Sequence, residues 1–418
     1  MPEAGSTLRS PEITDPMRVS RSLLLCSVLA VPTVTASAQH PDVTGSWRAV
    51  LDLAGGPLRF ELRASEAGGK TIAKLCNGPS CADEAVVRVQ RDSVIFDIAD
   101  YAATIGAARR GDSLTGVYRN VGNRGPRSIP FRASRGRWPR TTAPAALLGS
   151  WDATFVTDGR KSPRIFQFRN GSEGLEAAYL ANSGDYGLFW GGAARDSFHV
   201  AHFDGTFVYL ITGRLDGDTL RGTFHAGLRT QTPFTAVRST GAPHLVAPTA
   251  LTSADTVNPF QFSFPDLEGR IVTQDDPRFH GKVLLVDIFG TWCSTCHDAL
   301  PTLTSLYREY QPRGLEIVGL GYEVSADSAE ANPLIRRFRD KFGVTWPLLR
   351  AGINLVEETA ATLPQLRGFT AYPTTLFIGR DGRIREVYAG FRGPAAGEQH
   401  ERQVADFRRT IERLLAEP

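Results

Sequence analysis

The chain has 418 residues, of which 42% are hydrophobic and 22% are charged. This length exceeds what one ordinary hydrophobic core covers, so we expect two or three folded domains and exclude the fibrous, disordered and membrane-spanning classes. Lysine and arginine number 47 against 44 aspartate and glutamate, which gives a formal net charge of +3. A charge so close to neutral does not favour a nucleic-acid partner.

Residues 1–38 have the pattern of a secretory signal peptide. Arg18 and Arg21 precede an apolar run at residues 23–34, and the small-residue sequence Ala-Ser-Ala at 36–38 follows it. This order predicts cleavage before Gln39 and an exported, periplasmic mature protein. The apolar run is shorter than the roughly 20 residues that a permanent membrane helix needs, so no permanent span is expected.

Two details of this segment have alternatives. Residues 1–16 carry acidic and proline residues that an export signal does not need, which makes Met17 a candidate for the real start. Cys26 is a conceivable lipidation site, but Leu25 precedes it where a small residue is expected. We therefore favour cleavage over lipoprotein anchoring.

Removal of the signal leaves four cysteines in two close pairs, Cys76 with Cys81 and Cys293 with Cys296. An even, paired count suits an oxidising compartment. The turn-forming residues 77–80 separate the first pair, which predicts a structural disulfide across a hairpin loop. A second redox centre is the alternative for that pair.

Residues 39–136 and 145–240 are predicted to be two copies of one unit. Four landmarks recur in the same order, and they are residues 45–47 with 149–151, 91–93 with 195–197, 111–116 with 217–222, and Phe131 with Phe234. Short alternating apolar runs separated by Gly and Asp turns predict antiparallel strands. The expected fold is all-β, either two small barrels or sandwiches or one joint barrel, with Trp47 and Trp151 as core anchors.

The pattern changes after a linker predicted at residues 241–255. Residues 256–418 alternate between buried strands and helices, which predicts an α/β domain. The expected elements are strands at 283–289 and 315–322, helices at 294–310 and 332–342, a hairpin at 374–378 and 383–388, and a last helix at 401–415.

The sequence Trp292-Cys293-Ser294-Thr295-Cys296 stands where a buried strand ends and a helix begins. A spacing of three places both sulfurs on one helix face, close enough to form a disulfide. The unpaired amides of the helix N-terminus favour a thiolate at Cys293, which predicts a nucleophile there and a resolving thiol at Cys296.

Residues 256–418 resemble the TlpA/ResA-like branch of the thioredoxin family. The matching features are the segment 262–269 (FSFPDLEG), the WCSTC motif, Pro301 and the Tyr-Pro-Thr-Thr sequence at 372–375. The resemblance implies a thioredoxin-like fold and dithiol-disulfide exchange with protein substrates, supplied by a membrane electron donor or acceptor. It also implies a cis Pro373 beside the disulfide, Tyr372 and Thr374 as substrate-binding residues, and a catalytic role for Trp292.

One departure from this family concerns the proton acceptor. Proteins of this branch commonly carry Glu three residues after the second cysteine, where this chain has Ala299. Asp287 lies on the buried strand six residues before Cys293. We expect Asp287 to take the proton of Cys296 during resolution, and a solvated Asp at the strand end is the alternative.

A second departure is His297, because Cys-x-x-Cys-His is also the attachment motif of c-type haem. The strand-to-helix context favours redox cysteines over haem, and a single Cys-x-x-Cys pair lacks the four ligands of a structural zinc site. The sequence therefore predicts no cofactor beyond the redox-active pair. His297 is expected either to tune that pair or to be exposed.

Two hypotheses for the whole chain follow from these patterns. The first is an exported thiol-disulfide oxidoreductase that acts through Cys293 and Cys296, with a reductase favoured. The second is an envelope binding protein whose β repeats bind a partner or ligand, with the redox domain as an accessory.

Overall fold

A computed structural model describes residues 42–122 and 125–418 of the chain. The predicted signal peptide, Met17, Cys26 and the start of the first repeat at Gln39 lie outside the described residues. Within the described part no helix is both long and apolar enough to cross a membrane.

Barrel 1 is formed by eight antiparallel strands that pair in chain order. The strands are β1 (Gly45–Leu53), β2 (Gly56–Ala67), β3 (Lys70–Asn77), β4 (Ser80–Gln90), β5 (Ser93–Ile98), β6 (Ala103–Arg110), β7 (Ser113–Gly122) and β8 (Gly125–Arg135). Strand β1 pairs with β2 on one side and with β8 on the other, which closes the sheet. Closure leaves no unpaired edge strand, and the inward-facing apolar residues fill the interior.

Barrel 2 repeats this arrangement. Its strands are β9 (Gly149–Thr157), β10 (Arg160–Gly171), β11 (Gly174–Ala181), β12 (Gly184–Ala194), β13 (Ser197–Phe203), β14 (Val208–Asp216), β15 (Thr219–Ala226) and β16 (Thr230–Arg238). Strand β16 pairs with β9 and closes the barrel around an aromatic core. The expected all-β region is confirmed, and it consists of two closed barrels instead of sandwiches or one joint barrel.

The two tryptophans at the head of the barrels occupy equivalent surroundings. Trp47 and Trp151 are buried, and their indole nitrogens donate to the carbonyls of residues four positions earlier, at 2.9 and 2.8 Å. The guanidinium carbons of Arg135 and Arg238 lie 4.6 and 4.0 Å from the two ring centroids. Their expected role as core anchors is confirmed, and each arginine adds a cation–π contact.

The C-terminal domain is built on a five-stranded sheet with helices packed on it. Its main elements are β20 (Val283–Phe289), α1 (Ser294–Tyr310), β21 (Leu315–Glu323), α2 (Ser328–Phe342), β22 (Leu348–Ile353), α3 (Val356–Thr362), β24 (Thr374–Ile378), β25 (Ile384–Ala389) and α4 (Glu398–Ala416). Four short strands complete it, namely β17 (Ser253–Ala254), β18 (Ser263–Pro265), β19 (Ile271–Thr273) and β23 (Leu366–Arg367). The sheet order is β22-β21-β20-β24-β25. Strands β20, β21 and β22 are parallel, and β24 is antiparallel to both of its neighbours, β20 and β25.

The domain differs from the sequence expectation in a few places. Helix α2 begins four residues earlier than expected because the Asp327 carboxylate caps it, accepting from the Ala329 amide at 2.8 Å. Strand β22 and helix α3 were not foreseen. The end of the predicted linker pairs with the α/β domain, since β17 and β23 form a two-stranded sheet.

A disulfide joins Cys76 to Cys81 across the β3–β4 turn. The neighbouring Asn77 is buried, and its side-chain amide exchanges two hydrogen bonds of 2.9 and 3.0 Å with the backbone of Phe203 in barrel 2. The disulfide thus closes the turn that attaches barrel 1 to barrel 2.

Replacing both Cys76 and Cys81 by serine should lower the free energy of unfolding by about 2 kcal/mol, because the unfolded chain regains the freedom of a short loop. Urea unfolding would measure this change. The rate of disulfide exchange at Cys293 should stay at the wild-type value, and a parallel loss of exchange would instead support a second redox centre.

Candidate active site

Cys293 occupies the N-cap position of α1, four residues beyond the end of β20. Its carbonyl oxygen accepts from the amides of Cys296 and His297 at 3.0 and 3.2 Å. These bonds form the first helical turn and place the two cysteines one turn apart, and both are free thiols. The pair therefore has the arrangement of a dithiol that can close to a disulfide.

The loop before β24 lies against the first cysteine. The peptide bond between Tyr372 and Pro373 is cis, and the Cys293 thiol donates to the Tyr372 carbonyl at 3.6 Å. The Trp292 ring packs edge-on against the Tyr372 ring with 5.4 Å between centroids, and its indole nitrogen donates to the Tyr322 carbonyl at 2.8 Å. Trp292, Cys293, Tyr372 and Pro373 are thus brought together at one edge of the sheet.

Thr374 is the first residue of β24 and follows Pro373 directly. Its side chain is fully buried, and its hydroxyl donates to the Ala371 carbonyl at 2.8 Å. It lies opposite Ile288 on one side and Ala389 on the other in the sheet. In this arrangement the Thr374 side chain holds the loop that carries Pro373, and its role in substrate binding stays a prediction.

The second cysteine is enclosed by the core of its own domain. Cys296 is fully buried among the apolar residues of α1 and the sheet. Burial, followed by the hydrogen bond to Cys293 and the charges of Cys293 and Asp287, raises the pKa of the Cys296 thiol well above its ordinary value. Cys296 therefore remains a thiol until a base removes its proton.

Asp287 lies inside the sheet and not at a solvated strand end. It is on β20 opposite Gly319 and Thr375, and its side chain is buried. Among the described residues its Oδ1 atom has no hydrogen-bond partner. Burial raises the pKa of this carboxyl group to about 7, so it changes charge near neutral pH.

Glu323 is a second buried carboxyl group at this edge, and the sequence analysis missed it. Its carboxylate accepts from the amide and the hydroxyl of Thr291 at 2.9 and 2.6 Å, which fixes the loop between β20 and Cys293. Burial raises its pKa to about 7. The available signal was an acid at the carboxyl end of the predicted buried strand at 315–322, whereas Asp287 was identified by its position on a buried strand six residues before Cys293.

His297 is buried, so the alternative of an exposed side chain is wrong. Its Nε2 atom lies 2.8 Å from the Thr291 carbonyl, and its ring contacts those of Tyr101 and Phe338 at 4.7 and 4.9 Å between centroids. Burial, aided by the charge of Lys341, lowers the pKa of the imidazole to about 4. The ring is therefore neutral at pH 7 and joins α1 to barrel 1.

Two cavities adjoin the cysteines, and both barrels contribute to each. The first has a volume of about 560 Å³, and its lining includes Ser294, His297, Asp298, Tyr101 and His202. The second has a volume of about 540 Å³, and its lining includes Trp292, Tyr186, Phe207, Tyr209, Phe224 and Arg127. The site is therefore built from all three domains.

The part of the chain that carries this site matches a known protein family. Residues 252–402 match the family model described as Redoxin. This part of the chain is a redoxin domain with a thioredoxin-like fold, as the resemblance of residues 256–418 implied.

Particular relatives carry more specific names. The chain is 29% identical over 130 residues to "Thiol-disulfide oxidoreductase ResA" of Halalkalibacterium halodurans, covering 31% of this chain and 65% of the relative. It is 28% identical over 131 residues to "Thioredoxin-like protein YneN" of Bacillus subtilis, covering 31% and 68%. The matched segment thus spans about two thirds of the length of these relatives.

A solved structure is also similar to part of this chain. It is described as a thiol:disulfide interchange protein of the thioredoxin family from Chlorobium tepidum, with 22% identity and a TM-score of 0.30. The match covers 39% of this chain and 99% of that one.

Proposed function

We propose that this chain is an exported thiol-disulfide oxidoreductase that reduces protein disulfides through Cys293 and Cys296. The observation that carries the proposal is the dithiol at the N-terminus of α1, with the Cys293 sulfur 3.6 Å from the Tyr372 carbonyl oxygen of the cis peptide bond. The names of the relatives agree with this chemistry. The proposal that the protein is exported depends on the signal-peptide pattern of residues 1–38.

The first step is attack by the Cys293 thiolate on one sulfur of a substrate disulfide. The substrate S–S bond breaks, a mixed disulfide forms with Cys293, and the other substrate sulfur leaves as a thiolate. The attacking sulfur belongs to the N-cap residue of α1, and a helix N-terminus is a favourable place for an anionic nucleophile. Trp292 and the carbonyl of Tyr372 border this sulfur, and Pro373 holds that carbonyl in place.

The second step releases the reduced substrate. Cys296 loses its proton to Asp287 and attacks the Cys293 sulfur, which forms the disulfide of the enzyme and expels the second substrate thiolate. The substrate gains two electrons and the cysteine pair loses two. Burial of both groups in one apolar environment supports Asp287 as the acceptor, because neither has water as a competing partner.

This chemistry needs no metal or organic cofactor, because the cysteine pair itself stores the two electrons. The oxidised pair must be reduced again after each turnover. For an exported protein we assign that step to a membrane electron donor.

A second candidate function is partner binding by the barrels. The observation in its favour is the aromatic lining of the 540 Å³ cavity, in which Tyr186, Phe207, Tyr209 and Phe224 of barrel 2 meet Trp292. Such surfaces are typical of binding sites for apolar groups. In this case the redox domain would be an accessory.

Cys293→Ser should abolish reduction of insulin disulfides, since it removes the attacking sulfur. Cys296→Ser should instead accumulate a mixed disulfide between Cys293 and the substrate, which non-reducing electrophoresis and mass spectrometry detect. If Cys293→Ser left the reduction rate unchanged, the proposal would fail and the barrels would become the functional part.

Asp287→Asn should slow the resolution step at pH 8 at least tenfold, since general bases contribute about 10²-fold or more. The wild-type rate should rise with pH through about 7, where Asp287 loses its proton, and the variant should lack this rise. Stopped-flow decay of a preformed mixed disulfide measures both quantities.

Glu323→Gln is the matched control, because Glu323 is equally buried and its pKa is also about 7. The resolution rate of this control should still rise with pH through about 7.

The free energy of unfolding gives a further readout, since Asp287 binds its proton more tightly in the folded chain than in the unfolded one. As the pH rises from about 4 to about 7, the free energy of unfolding of the wild type should therefore fall relative to that of Asp287→Asn, by at most about 4 kcal/mol. An unchanged rate profile would remove Asp287 from the mechanism.

The direction of electron flow is tested by the reduction potential of the Cys293/Cys296 pair. A reductase should equilibrate with thiol buffers near the thioredoxin value of about −270 mV. Alkylation of free thiols after equilibration, followed by mass spectrometry, gives the value. A potential near −120 mV would make the protein an oxidant that forms disulfides.

A further inference from the structure

Barrel 2 contacts the helix that carries the redox pair, and that pair is not open to solvent. Cys293 is 3% exposed and Cys296 is fully buried. A thiolate must reach a substrate sulfur to attack it, so a protein disulfide has no access to Cys293 in this arrangement. The part of barrel 2 that contacts the first turn of α1 is the connection between β11 and β12, and we call residues 181–185 the covering turn.

The covering turn contacts two of the segments that border the cysteines. The Thr295 hydroxyl, between the two cysteines, donates to the Asp185 carbonyl at 3.1 Å. The Asp185 amide donates to the Phe391 carbonyl at 3.1 Å, and Gly184 forms a parallel β-bridge with Phe391. The covering turn thus binds the redoxin domain through its backbone, as an added strand does.

Glycines on both sides permit this close approach. A β-carbon on Gly184 would lie 2.5 Å from the Phe391 carbonyl oxygen, and one on Gly390 would overlap the Ser183 carbonyl. Gly390 also donates to the Pro373 carbonyl at 2.8 Å, which places this contact beside the cis peptide bond. The surface at residues 390–391 is therefore shaped to receive a polypeptide backbone.

A buried cation strengthens the contact. Arg392 is 6% exposed, and its guanidinium donates to the Ala181 carbonyl at the start of the covering turn. On the other side of the domain, Lys341 of α2 pairs with Asp83 and Asp100 of barrel 1 at 3.4 and 2.7 Å. Both barrels are therefore fastened to the redoxin domain around the cysteines.

We propose that the surface formed by Thr295, Gly390 and Phe391 docks an extended segment of the substrate, and that the covering turn occupies this surface until a substrate displaces it. This inference rests on the proposed exchange function and adds its regulation. The partner that fits is a polypeptide strand with glycine or another small residue facing Phe391, because larger side chains meet the Phe391 carbonyl.

Gly184→Ala is the first test variant. The three atoms nearest to its β-carbon belong to Phe391 and Thr295 of the redoxin domain, so the added methyl group pushes the turn away from them. Iodoacetamide alkylation of Cys293 in the reduced full chain should become at least tenfold faster, measured by site-resolved mass spectrometry. Insulin reduction should accelerate with it.

Gly56→Ala, in barrel 1, is the matched control. Gly184 has a φ of 127°, and Gly56 has a similar φ of 118°, but a β-carbon on Gly56 meets nothing within 4 Å. This control introduces similar backbone strain without touching the redoxin domain, and the alkylation rate of its Cys293 should equal that of the wild type.

Arg392→Met is a second variant that should release the covering turn. It keeps the apolar part of the side chain and removes the hydrogen bond to the Ala181 carbonyl, so it should also accelerate alkylation of Cys293.

Wild-type alkylation rates in both Gly184→Ala and Arg392→Met would overturn the proposal, as would equal acceleration in Gly56→Ala. Failure of the proposed function gives a different result. In that case alkylation would accelerate in Gly184→Ala and Arg392→Met, while no variant and no wild-type protein would reduce insulin.

Discussion

The site depends on the position of β20 at the centre of its sheet. All seven residues of this strand are buried, and β21 and β24 hydrogen-bond to it from both sides. A strand held in this way cannot slip by one residue without turning its whole apolar set to the other face. The end of β20 is therefore fixed, and with it the short loop and the N-terminus of α1 that carry Cys293.

The neighbouring strands bring the remaining groups to the same edge. Strand β24 follows the cis peptide bond at Pro373, and β21 ends at Glu323, which binds the loop through Thr291. Asp287 is on β20 itself. Three adjacent strands thus set the distances between the cysteines, the carbonyl of Tyr372 and the two buried acids, and no long flexible loop is involved.

Local patterns predicted much of this arrangement from the sequence. A continuous apolar run before Trp-Cys-x-x-Cys predicted β20 and α1, and Asp287 followed from its position on that run six residues before Cys293. The choice between two barrels, sandwiches and one joint barrel was not predictable, because closure depends on pairs such as Trp47 with Arg135 that are distant in the chain. The contacts of the covering turn were also not predictable from its sequence. Its contacts use backbone atoms and glycines, which have the same appearance in any β-turn.

The two cysteines differ in how movement of the covering turn would affect them. Both belong to the apolar core of their own domain, but Cys296 is fully buried and lies one helical turn inside α1. Cys293 is the N-cap residue of α1, and Thr295 in the first turn of this helix binds the covering turn through its hydroxyl. In the mechanism that we propose, displacement of the covering turn therefore uncovers the N-terminus of α1 and acts on the first step of exchange. Asp287 lies inside the sheet of the redoxin domain, so its proposed role in the second step is separate from barrel 2.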